Sequence, residues 1–187
     1  RIDRLLQELG LDKRDRDVIV DSLQDWRDPN EDHRLNGAES EDTYLKLPVP
    51  YRSRNGNLES VAELLQIKGV TPALVNGAED RPGLADLVTV KTPGQVNLNT
   101  AGPRVLRALR FSDAEITEVV QTRREAPYAT VPPRFSGRGL AVTTQTFRIE
   151  AEGLIAGRTR ARVTAVVQKR VQNNVPAIVV TEWSGIH

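Results

Sequence analysis

Apolar residues at Ile2, Leu5, Leu6 and Leu9 recur at i, i+3, i+4 and i+7, the spacing of one helix face, and Gly10 supplies a stop. Asp12 is placed to cap a second helix carrying Val18, Ile19, Leu23 and Trp26. Beyond Trp26 the periodicity disappears. Residues 28–57 hold turn formers, many acids and Pro48-Val49-Pro50-Tyr51, and predict a long structured loop, a length usually reserved for function or disorder. Short helices then resume. Ser60 and Glu63 form a capping-box pair ahead of Leu64 and Leu65, with Gly69 as the stop, and Thr71-Pro72 opens the next helix. Thr100 is expected to start a helix with Val105, Leu106 and Leu109, and Ser112 with Glu115 repeats the capping box before Ile116, Val119 and Val120. Residues 125–140, rich in Pro, Gly and Arg, are expected to form a linker or mobile loop.

From there the period changes from 3.6 to 2. Phe147, Ile149 and Ala151 alternate with Arg148, Glu150 and Glu152. Ala161, Val163, Ala165 and Val167 alternate with Arg160, Arg162, Thr164 and Gln168. A third run covers residues 177–183, and Gly157 and Asn173-Asn174 supply the turns. This predicts an antiparallel meander with one wet face, too thin to stand without a covering helix or further strands. The fold class is therefore α+β: a helical domain over residues 1–140, containing the acidic loop at about 25–57, and a sheet over 141–187.

Composition narrows the function. The 187 residues include no cysteine, which removes disulfides, thiol nucleophiles and zinc sites with sulfur ligands. No apolar run approaches the ~18 residues of a membrane span. The chain starts at Arg1 and contains no methionine, which reads as a fragment whose N-terminus, with any anchor there, was removed. The net charge of +1 conceals an asymmetry: residues 1–92 carry 13 Lys+Arg against 18 Asp+Glu, and residues 93–187 carry 13 against 7. The basic half suits solvated strand and helix faces better than nucleic acid, because its charges are scattered and aromatics make up only 4% of the chain. The two histidines, His33 and His187, sit in no triad or metal-pair spacing, and no phosphate loop or nucleophile elbow is present. Catalysis finds little support, and a hydrolase is a distant third reading.

The acidic loop carries the chemistry. Seven carboxylates between Asp25 and Asp42 face only Arg27 and Arg34. Asp28, Asn30 and Asp32 alternate, and Glu39 follows Asp28 by eleven residues, the offsets of ligands 1, 3, 5 and 12 in a calcium loop. His33 stands where such a loop has its turn glycine, and Pro48 and Pro50 oppose a full exiting helix, so the loop is calcium-type and not an EF-hand. The expected calcium ligands are Asp25, Asp28, Asn30, Asp32, Glu39 and Asp42. A second signal is Asn97-Leu98-Asn99-Thr100-Ala101, which resembles the opening of helix-hairpin-helix DNA-binding modules. The turn at residues 110–112 lacks their glycine, leaving Arg104, Arg107 and Arg110 as phosphate contacts, and asparagines bonding turn backbone are the favoured reading.

In order, Asp25-Trp26-Arg27-Asp28, Gly37-Ala38-Glu39, Tyr44, Pro50-Tyr51-Arg52-Ser53-Arg54-Asn55, Leu58 to Glu63-Leu64, and Asn97-Leu98-Asn99-Thr100-Ala101 resemble the K-type minor pseudopilins (GspK) of bacterial type II secretion systems. The resemblance implies short helix-hairpin-helix or SAM-like units forming a helical domain inserted in a pilin-like sheet, with an inner-membrane anchor helix missing here and this region periplasmic. It also implies structural calcium in the helical domain and a non-enzymatic role at the pseudopilus tip beside the I- and J-type minor pseudopilins. The family tends to place an Asp directly after Gly-Ala-Glu. This chain has Ser40 there, with an extra residue before Tyr44, so Glu39 carries over directly and Asp42 is displaced. The alternative is a competence-like helix-hairpin-helix module that binds nucleic acid.

Overall fold

The computed structural model describes residues 1–78, 80–172 and 174–186, and divides into two compact units. The first comprises Arg1–Lys91 and Thr100–Pro127, the second Thr92–Asn99 and Tyr128–His187. The expected boundary near residue 140 thus falls earlier, because Val96–Asn97 (β1) pairs in parallel with Leu140–Ala141 (β2) and draws both flanks into the second unit.

In the first unit, α1 (Ile2–Glu8) buries Leu5 and Leu6 and packs against α2 (Lys13–Asp25) and α5 (Pro103–Ala108). Gly10, at φ +88°, ends the first turn in the left-handed region, and Asp12 accepts from Asp15 N at 2.9 Å to start α2. Short helices α3 (Pro72–Asn76) and α4 (Leu84–Leu87) follow, the first capped by Thr71 Oγ1. The expected start at Thr100 moves to Pro103, whose missing N–H costs nothing in a first turn. The Ser112–Glu115 box forms in both directions at the head of α6 (Asp113–Glu125). The Ser60 cap does not form. Residues Val61–Gln66 make a 3-10 turn, and Glu63 is drawn into the core instead, where its carboxylate accepts from Trp26 Nε1 at 2.9 Å and from Glu59 N at 3.0 Å and pairs with Arg54.

The long loop is held by aromatic packing. Trp26, 1% exposed, meets Tyr44 edge-on at 5.2 Å between ring centres, and Tyr44 stacks on Tyr51 at 5.2 Å. These rings join Leu6, Ile19, Leu64 and Ile67 in one core, so residues 28–57 are pinned to α2 from several points without regular structure of their own.

In the second unit, β3 (Thr146–Ile155), β4 (Arg158–Gln172) and β5 (Val175–Ile186) form the expected antiparallel meander. Phe147 pairs with Val167 and Ala165 with Trp183, so the apolar set shares one face, while Arg148–Glu150 and Arg162–Glu152 ion pairs occupy the other. Ala165 and Val167 are buried at the centre of that face, and Ile149 and Trp183 remain exposed at its margins. Gly157 takes the first turn and Asn174, at φ +61°, half of the second; Asn173 and His187 lie outside the described residues. The segment expected as a mobile linker is built around a fully buried Phe135, with the Arg134 and Arg138 guanidinium groups 4.7 and 5.2 Å from its ring centre.

Candidate metal centre

Of the six candidate ligands, Asp25 and Glu39 are buried in separate surroundings, Asp28 is half-buried beside Asp25, and Asn30, Asp32 and Asp42 are exposed. Asp25 closes α2 and is fully buried, its Oδ2 accepting from Arg34 N and Ala38 N at 3.0 Å each. Its Oδ1 and Asp28 Oδ2 both meet Arg34 Nη1, at 2.5 and 2.6 Å. Gly37 is required here by space: a Cβ on it would lie 1.7 Å from Asp25 Oδ2, so only glycine lets the returning loop close over the carboxylate.

The alternating run does not converge. Asn30 Oδ1 accepts from Asp32 N at 2.8 Å and its amide donates to Asp28 Oδ1 at 3.0 Å, a local Asx turn, and both Asn30 and Asp32 are exposed. The spacing that suggests ligand positions therefore shapes a turn. Asp42 Oδ1 accepts from Glu39 N at 3.0 Å, and its other oxygen lies 3.7 Å from His33 Nε2. Burial opposes ionisation of Asp42, but the Glu39 N–H and other donors outweigh it and hold the carboxyl below its ordinary range.

Glu39 stands apart. It is 1% exposed, and its Oε1 has no hydrogen-bond partner. Its Oε2 accepts from Ser53 Oγ at 3.0 Å, the same hydroxyl that lies 2.8 Å from Asn55 Oδ1 and 2.7 Å from Ser40 Oγ. Glu31 Oε1 accepts from Asn55 Nδ2 at 3.0 Å and from Ser40 Oγ at 3.4 Å. A hydroxyl carries one proton, so Ser53 cannot satisfy both Glu39 and Asn55, and the cluster is rich in oxygen and short of donors. Burial first, then the charges of Asp25, Glu31 and Asp28, raise the Glu39 carboxyl to about 7 against the pull of the Ser53 hydroxyl. A buried, donor-starved carboxylate beside further oxygens fits a hard cation such as calcium. Among the described residues, no three acidic or histidine side chains gather as a ready metal cage, so a cation here would rely on neutral oxygens as well. Glu31, Ser40, Ser53 and Asn55 are the members that sequence spacing misses. Ser53 and Asn55 lie in a conspicuous motif, but only the return of the loop brings them to Glu39.

The helix-hairpin-helix signal resolves into structure. Asn97 Oδ1 accepts from Asn99 N, and the Asn99 amide bonds Tyr128 N, Tyr128 O and Val142 O at 2.8–3.0 Å. Arg107 is held by Glu8 and Asp113, and Arg104 donates to Glu8 O. The nucleic-acid reading is not supported.

A helical unit with an oxygen-rich acidic loop and a second unit built on an antiparallel meander define a protein of the α+β class. Residues 1–80 match the family model for type II secretion system (T2SS) protein K. A type II secretion system protein K from Pectobacterium carotovorum subsp. carotovorum is 36% identical over 66 residues, 35% of this chain and 20% of the relative. The aligned part thus spans a fifth of that relative's length. A chain in the crystal structure of the GspK-GspI-GspJ complex from the enterotoxigenic Escherichia coli type 2 secretion system shares the fold at a TM-score of 0.72 and 19% identity, over all of this chain and 69% of that one. Residues 1–80 are thus similar to type II secretion system protein K, and the whole chain shares its fold with one chain of that complex.

Proposed function

We propose that this chain is the periplasmic part of a K-type minor pseudopilin, a non-enzymatic component at the tip of a type II secretion pseudopilus. The carrying observation is the match of the whole chain to one fold found in a complex with I- and J-type partners, joined to the protein K likeness of residues 1–80. The size of the helical unit, which exceeds that of the sheet-bearing unit, supports this reading, since a bulky addition to a pilin-like subunit suits the end of an assembly better than its shaft. An anchor helix preceding this region would hold it to the inner membrane; among the described residues no helix is long and apolar enough to cross one. The isolated region is monomeric on this reading and enters a 1:1:1 complex with the I- and J-type soluble domains. Light scattering of the mixed domains tests it. Filaments of this chain alone, or no complex with either partner, would refute the tip role.

The Glu39 pocket is proposed to bind one structural calcium ion, with Glu39, Glu31 and Asn55 as its side-chain ligands. The ion supplies the positive charge that the buried carboxylate lacks and ties residues 31, 39 and 53–55 together. At calcium a hundredfold above its dissociation constant, linkage adds about 2.7 kcal/mol to stability. A melting temperature unmoved by excess chelator would refute this reading.

A further inference from the structure

We infer that Asn55-Gly56 is a self-modification site, where the folded protein converts the Asn55 amide to aspartate and isoaspartate with water as co-reactant, loosening the loop as the chain ages. Asn-Gly occurs three times, at residues 36–37, 55–56 and 76–77. In each pair the glycine nitrogen can attack the asparagine Cγ because no Cβ blocks its approach, so the sequence ranks the three alike. The structure does not. Gly37 N donates to Arg34 O at 3.0 Å, and Asn36 is tied to Asp21 Oδ2 through both its backbone N and its Nδ2. Gly77 N donates to Ala73 O at 2.9 Å, and a Cβ there would lie 2.4 Å from Arg81 O, so the chain closes tightly round it. Gly56 N has no acceptor among the described residues, and a Cβ on Gly56 would meet only Arg54, at 3.7 Å. Of the three nucleophiles it alone can turn onto its neighbour's side chain without giving up a backbone hydrogen bond.

The surroundings favour the reaction. Ser53 Oγ lies 2.8 Å from Asn55 Oδ1 and polarises that carbonyl when its proton turns that way. Glu31 Oε1, 3.0 Å from Asn55 Nδ2, is placed to relay a proton to the departing nitrogen. The Gly56 N–Cγ bond forms, the Cγ–Nδ2 bond breaks, and ammonia leaves with the proton that Gly56 N gave up. Water then opens the imide on either side, giving aspartate or isoaspartate. Either product removes the amide that donated to Glu31 and adds a carboxylate to a cluster already short of donors.

The test is peptide mapping by mass spectrometry, with isoaspartate detected separately, of protein aged at pH ~7.5 and ~37 °C. Chelator throughout keeps the result independent of the calcium reading. In the folded chain Asn55 should react at least about fivefold faster than Asn36 or Asn76, and in strong urea the three rates should converge to within about twofold. Gly56→Ala, whose methyl has ordinary room, should slow Asn55 by about tenfold. Aged protein should melt below fresh protein, and Asn55→Asp should reproduce the fall. Reaction at Asn36 or Asn76 as fast as at Asn55, a ranking unchanged in urea, an unaltered rate in Gly56→Ala, or wild-type stability in Asn55→Asp would each overturn the inference.

Discussion

Glu39 should make the metal-free protein lose stability as pH rises, and Glu39→Gln should remove that loss. Burial and the neighbouring acids lift the carboxyl from its ordinary value of 4.5 to about 7. Between those limits the folded state holds a proton that the unfolded chain has released, so unfolding is favoured as pH increases. At 1.36 kcal/mol per pH unit the whole window is worth about 3 kcal/mol, a stabilisation fully present below pH ~4.5 and fully lost above ~7. Between pH 5 and 7.5 the change is about 2 kcal/mol, or roughly 1 M in the urea midpoint for a domain of this size. The glutamine amide in the variant cannot ionise and leaves the pocket its shape. His33 also has a raised pKa, set by its bond to the Arg34 carbonyl and then by Asp42, and its contribution is likewise lost as pH rises through that value. It is common to both proteins and cancels in their difference. The assay is urea unfolding in chelator at pH 5, 6, 7 and 7.5, followed by Trp26 fluorescence. The wild-type midpoint should fall relative to Glu39→Gln across the series. Saturating calcium should abolish the fall in the wild type, because the ion binds the ionised carboxylate, and should leave Glu39→Gln unmoved. Parallel curves for the two proteins in chelator would refute the reasoning.

Other substitutions probe how the loop is held. Gly37→Ala drives a methyl into the Asp25 carboxylate and should cost about 3 kcal/mol or more; a loss under ~0.5 kcal/mol in thermal unfolding would show that the loop relaxes freely. Glu63→Gln weakens the acceptor shared by Trp26 Nε1, Glu59 N and Arg54 and should cost about 1–3 kcal/mol, with a shift in Trp26 emission; an unchanged spectrum would refute the contact. Burial pushes the Glu63 carboxyl up, but its donors hold it below the ordinary range, so this part of the stability is present above the unfolded value and lost in acid. Ser112→Ala should cost about 1 kcal/mol, whereas Ser60→Ala should stay within ~0.5 kcal/mol because Ser60 caps nothing. Equal losses in urea unfolding would contradict the assigned caps.

The oxygen pocket was half legible. Glu39 carries a sequence signal because Gly37-Ala38-Glu39 combines a glycine forced by space, an amide donated to Asp25 and a carboxylate turned inward. The partners of Glu39 were not legible. Asn30 and Asp32 have the spacing of ligands, yet alternate side chains converge only if the backbone coils round one point, and here Asn30 closes an Asx turn that points both side chains to solvent. Ser53 and Asn55 reach Glu39 because Tyr44 and Tyr51 pack on Trp26 and return the chain.

Local rules sufficed where the signal lies within a few residues. The helix face from Ile2 to Leu9, the Asp12 and Ser112 caps and the period-2 run ahead of Gly157 depend on neighbours three, four or two positions away, and the sequence by itself determined them. Tertiary structure decided everything that turns on a distant competitor. Glu63 abandons its capping role because the buried Trp26 indole needs an acceptor, Phe135 anchors a stretch whose composition reads as linker, and β1 joins β2 although α5 and α6 intervene in the chain. In each case a desolvated group costs more than a local preference returns, and which groups become desolvated is fixed only when the whole chain has closed on itself.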